Sequence, residues 1–85
     1  MHIQTLSILI LDSDLGRGSR LGEELQERGT LAIITDDLGA ALEAVKTEHP
    51  ALVVVSEAMG AKAATVLQAA DPDALVVVVT EAVAA

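Results

Sequence analysis

No cysteine, phenylalanine, tyrosine or tryptophan occurs in the 85 residues, and basic side chains are scarce. Without cysteine there is no disulfide framework and no thiolate metal site, which fits a reducing compartment. Without aromatic rings the core lacks its bulkiest fillers. Five Lys and Arg against 13 Asp and Glu leave a formal charge of −8, so the surface repels phosphate backbones and anionic membranes, and nucleic-acid binding through a basic face is disfavoured. The two histidines, His2 and His49, stand far apart in the chain and make no His-rich metal site. No basic segment precedes a long apolar run, and the longest apolar runs are far short of the roughly 20 residues that span a bilayer. The sequence therefore reads as soluble and cytoplasmic.

What is present is aliphatic. Hydrophobic residues make up 52% of the chain, but 15 of them are alanine. A chain of this length forms one small domain at most and buries roughly 60–65% of its unfolded surface. Its core should be marginal and should lean on something besides its own packing.

One unit repeats four times along the chain: a short β-branched run, followed in three cases by a longer stretch with helical spacing. The runs are Leu6 to Leu11, Leu31 to Thr35, Leu52 to Val55 and Leu75 to Val79. Most are continuously apolar rather than alternating, the pattern of strands covered on both faces in a parallel sheet. The second run is bordered by polar residues, as an outer strand would be. Between the runs, Leu38, Ala41, Leu42 and Val45 recur at i, i+3, i+4 and i+7, with Asp37 placed to cap the helix and Pro50 to close it. Leu15 to Arg28 carries Leu21 and Leu25 on one face beside Gly18 and Gly22, and Gly29 supplies a stop. The small residues there allow a close approach of helix to sheet. Ala61 to Ala70 is a third helix, ended by Asp71-Pro72-Asp73. The order βαβαβαβ with right-handed crossovers predicts a doubly wound α/β fold.

Ligands in such sheets sit beyond the carboxyl ends of the strands. Those positions read Asp12-Ser13-Asp14, Asp36-Asp37, Ser56-Glu57 and Thr80-Glu81. In a working phosphotransfer site, two or three carboxylates there would hold a hard divalent cation. Here that set is incomplete.

The segments Ile8 to Asp14 (ILILDSD), His49 to Gly60 (HPALVVVSEAMG) and Val77 to Thr80 (VVVT) resemble the receiver domain of two-component response regulators. The likeness spans essentially the whole chain and about the first two-thirds of the family's usual length. It implies a flavodoxin-like sheet of about four strands in the order 2-1-3-4, flanked by helices. The departures are chemical. Ser56 stands where the family carries its phosphoacceptor Asp, and a serine hydroxyl is a poor acceptor without a base to activate it. Ser13 replaces one of two acidic metal-site residues, leaving Asp12, with Asp14 just beyond. Gly60 replaces the proline after the Met59 turn, and Glu81 replaces a small residue. The chain stops at Ala85, before the family's fifth strand and its Lys. The resemblance therefore implies a truncated pseudo-receiver spanning residues 1–85 as a single domain, with a vestigial phosphorylation pocket at Asp12, Ser13, Asp14, Ser56 and Thr80. It implies no catalytic residue, no metal site and no cofactor.

Each of these residues also has a plainer reading. Asp12 and Asp14 can terminate a strand and cap a helix. Ser56 can be a strand-end or N-cap serine, since no Gly-x-Ser-x-Gly elbow surrounds it. Thr80 can be a β-branched strand end as readily as a switch. Glu57 can be a solvated acid or a standing mimic of phosphoryl charge beside Ser56.

A competing motif is Gly16-Arg17-Gly18 with Gly22, followed by Asp36 at the end of the second strand. A dinucleotide-binding fold has this layout, but the spacing Gly-x-Gly-x-x-x-Gly is not the strict fingerprint. Asp12 and Asp14 would also repel the pyrophosphate. Other catalysis finds no support in two distant histidines and no cysteine, so the chain is not expected to be an enzyme.

An interaction module needs only a fold and a surface. In the order 2-1-3-4 the fourth strand lies at the edge, where Val76, Val77, Val78 and Val79 carry neither charge nor proline to block pairing. The expected function is phosphorylation-independent: a protein partner or a second copy pairing through this edge, in signal transduction or transcriptional regulation. The alternatives are a small ligand or cation sensed in the vestigial pocket, or a nucleotide-binding fragment using Gly16, Gly18 and Asp36.

Overall fold

A computed structural model describes residues 7–79. Thr80 and Glu81 lie outside them, as does Leu6. The order is β1 (Ser7–Leu11), α1 (Leu15–Glu27), β2 (Leu31–Thr35), α2 (Leu38–Glu48), β3 (Leu52–Ser56), a single 3-10 turn (Glu57–Met59), α3 (Ala61–Ala70) and β4 (Leu75–Val79). The four strands form one all-parallel sheet in the order β2-β1-β3-β4. This is the α/β arrangement expected from the alternation of apolar runs and helices, in the flavodoxin-like order that the resemblance implied. Parallel neighbours need crossovers, and each helix supplies one.

The register fixes what each face carries. Leu9 pairs with Ile33 and Val53, and Leu11 with Thr35 and Val55. Because successive side chains alternate, Leu9, Leu11, Val53 and Val55 share one face. All four are fully buried, packed with Val45 of α2 and Leu67 of α3. The opposite face carries Ile10 and Ile34, and α1 lies on it.

That helix makes the close approach its small residues were expected to allow: Gly18 and Gly22 are its buried positions, while Leu21 is 39% exposed and Leu25 half-buried. The cause is shape. A Cβ on Gly18 would stand 3.0 Å from Ile34 Cγ2, and one on Gly22 would collide with Ile34 Cδ1. The isoleucine fills the groove that the missing side chains leave, so the backbone itself approaches the sheet. The helix also stops one residue short of the expected end: Arg28 is its C-cap, and Gly29 follows at φ +83°, a left-handed conformation that glycine adopts without penalty.

The second helix matches its expected signals. Asp37 caps it, accepting from the Ala40 backbone N–H at 3.0 Å. It closes at His49, whose φ of 47° places a non-glycine residue in the left-handed region just before Pro50. No helix of the described residues is long and apolar enough to cross a membrane.

Candidate functional site at the ends of β1 and β3

The strand order reverses between β1 and β3, because β1 leads outward to β2 whereas β3 leads to β4 on the other side. A crevice forms at such a switch point, beyond the carboxyl ends of the two strands. Asp12 directly follows β1 and Ser56 ends β3. Both are buried, at 5% and 2% exposure, and they follow the register pair Leu11 and Val55 side by side on adjacent strands. Two of the five residues expected in a pocket thus meet.

The others have different places. Asp14 is exposed and is the N-cap of α1, accepting from the Arg17 backbone N–H at 3.1 Å. Ser13 is exposed between the two acids. Ser56 also caps the 3-10 turn, accepting from the Ala58 N–H at 3.3 Å. Glu57, the first residue of that turn, is exposed. The capping roles of Asp14 and Ser56 are those expected of Asp and Ser after a strand.

Sequence reasoning missed Arg17, which entered it only as the residue between two glycines. Its guanidinium holds the Asp12 carboxylate in a two-point fork, with Nε donating to Oδ2 at 2.8 Å and Nη2 to Oδ1 at 2.7 Å. The Asp14 N–H donates to Oδ1 at 2.9 Å, and Ser56 beside the carboxylate adds a smaller stabilisation of its charge. Both oxygens of the carboxylate thus have a donor, and Oδ1 has two. The Arg17 guanidinium, first among the causes, holds the Asp12 carboxyl below the ordinary aspartate range, while burial opposes the shift. One signal for Arg17 was available: one helical turn past a predicted Asp14 cap, an Arg lies within reach of the end of β1.

This geometry also bears on ligands. No group of three or more His, Cys, Asp or Glu side chains that could hold a metal ion occurs among the described residues. Asp12 is held at both oxygens by the Arg17 guanidinium and Asp14 is turned to the helix N-terminus, so the residues present do not fit a divalent cation. Two of the three glycines of the dinucleotide motif are accounted for by packing, since Gly18 and Gly22 face Ile34.

At the far edge of the sheet β4 carries a different surface. Leu75, Val78 and Val79 are 62%, 48% and 43% exposed. Beside the strand runs an open, mostly apolar groove of about 540 Å³, lined by Ala64, Gln68 and Ala69 of α3 with Pro72 and Val76.

No protein-family model matches the chain, and comparison with curated proteins finds no match.

Proposed function

We propose that this chain is a receiver-like module that works by protein contact, without phosphoryl transfer of its own, in signal transduction or transcriptional regulation. The observation that carries the contact reading is β4: a parallel edge strand whose Leu75, Val78 and Val79 are exposed. Such an edge presents unpaired N–H and C=O groups to any extended segment that can add to it. Strand addition by a protein partner or a second copy would satisfy those groups and cover the apolar side chains. The absence of phosphoryl chemistry is supported separately by Ser56 at the end of β3 and by the Asp12 carboxylate held at both oxygens by Arg17.

Two measurements test this reading. Incubation with acetyl phosphate and Mg²⁺, followed by intact mass, is expected to leave the mass unchanged; a stoichiometric gain of about 80 Da, one phosphoryl group, overturns it. Light scattering across a concentration series is expected to show association that Val78→Lys weakens. Association that is indifferent to a charge on β4 removes the edge strand from the proposal.

A further inference from the structure

Acidic residues gather after β1, and general chemistry would place a hard divalent cation among them to offset their repulsion. The structure places a side chain there instead. Arg17 comes from the first turn of α1, with its side chain 37% exposed against 7% for Asp12. It bonds both oxygens of Asp12 at the distances of strong charge-assisted bonds.

We infer that Arg17 is a built-in counter-cation: it neutralises Asp12 in the way a bound divalent ion would, and by doing so excludes such ions from the crevice. Three features support the assignment. The planar fork of Arg matches the carboxylate, whereas a lysine would make a single point contact. The Asp14 N–H takes a further acceptor position on Oδ1, so an ion would have to compete with Arg17 for both oxygens of the carboxylate. The Asp14 side chain and the Arg17 backbone N–H are themselves bonded, which anchors the helix turn that carries the guanidinium. The consequence is a crevice whose charge is fixed by the sequence and does not follow the divalent-ion concentration.

Mn²⁺ is the probe, read by electron paramagnetic resonance for binding and by far-UV circular dichroism for folding. The intact chain is expected to bind Mn²⁺ weakly, and its melting temperature should not respond to the ion. Arg17→Ala frees two acceptor positions on Asp12 and should bind Mn²⁺ about tenfold more tightly or better, because a competing unit charge has left. Its melting temperature should rise with Mn²⁺, as for any ligand that binds only the folded state. Arg17→Lys keeps the charge and is expected to stay close to the intact chain. Adding Asp12→Asn to Arg17→Ala should abolish the gain.

The assignment is overturned if the intact chain binds Mn²⁺ as tightly as Arg17→Ala, if folded Arg17→Ala gains no affinity, or if the gain survives loss of the Asp12 carboxylate. Should Arg17→Ala lose its fold, recovery of the fold by Mn²⁺ counts for the assignment, and failure to recover counts against it. This experiment reads Asp12 alone and is blind to association through β4, so it can fail without touching the contact reading.

Discussion

Two segments of this chain are almost the same peptide. β3 reads Leu-Val-Val-Val-Ser and β4 reads Leu-Val-Val-Val-Val, paired in register from Leu52 with Leu75 to Ser56 with Val79. Their surroundings are opposite. From Val53 to Ser56 the first is buried, whereas Leu75, Val78 and Val79 of the second are exposed. Composition therefore does not decide burial here; position in the sheet does. β3 has a neighbour on each side and packs Val53 and Val55 with Val45 of α2 and Leu67 of α3, while among the described residues β4 has a strand on one side and α3 against it. A strand that is apolar on both faces yet covered on few of them is a surface with an unmet demand.

The largest test of this contrast is Val55→Asp. Val55 is fully buried among Leu11, Leu67 and their neighbours, and an unpaired carboxylate there has no donor. The expected cost is about 4 kcal/mol or more, most of the stability available to a domain of this size, roughly 5 kcal/mol. Urea melts followed by circular dichroism should find the variant largely unfolded. A folded variant would mean that the middle of the sheet is less closed than its burial indicates.

The sheet was legible in the sequence because β-branched runs and helical spacing are local signals. The four strands and three helices of the described residues fall within a residue of where those signals place them, and the order 2-1-3-4 is the one the receiver resemblance implied. Two things were not legible. The close approach at Gly18 and Gly22 was visible, but that Ile34 of a neighbouring element fills the groove beside them is something periodicity cannot see. The partner of Asp12 depends on where an Arg one turn into α1 can reach, and that needs the helix axis as well as the helix. The acids at strand ends were visible; the cation between them and solvent was not. Thr80, the expected fifth member of the pocket, lies outside the described residues.

The second test concerns the carboxyl end of the same inner strands. Asp12→Asn removes a buried charge that accepts two bonds from Arg17, with an expected loss of about 2 kcal/mol at neutral pH. The sign with pH follows from the lowered folded-state pKa. The stabilisation is complete above the ordinary aspartate pKa, near 4, and is lost as pH falls through the lower folded value. The intact chain should therefore lose stability below about pH 4 more steeply than Asp12→Asn. Parallel acid limbs for the two proteins would show that the fork contributes nothing.

The third test uses the other edge of the sheet. β2 is also an edge strand, yet four of its five residues are half-buried because α1 lies against it on Gly18 and Gly22. Gly22→Ala would ordinarily gain up to about 1 kcal/mol within a helix. Here the added methyl meets Ile34, and overpacking costs about 1–3 kcal/mol. The expected net result is a loss of about 1 kcal/mol, restored in part by Ile34→Val. A stabilised Gly22→Ala would mean that α1 can lift off β2 at little cost, and the two edges would then be more alike than their burial indicates.

The smallest expected change in stability comes from Val78→Lys, the register partner of the first substitution, since Val55 pairs with Val78. Val78 is 48% exposed, so the lysine stem can lie along the strand with its ammonium in water. The change in folding free energy should stay within about 0.5 kcal/mol. Association should change far more, because a charge on an edge strand is a standard obstacle to strand addition. The pair of variants separates two explanations of the exposed apolar edge. If Val78→Lys leaves the fold intact and weakens association, the valines of β4 are there for contact. If it unfolds the chain as Val55→Asp does, they belong to the core, and the resemblance between the two pentapeptides extends to their energetics.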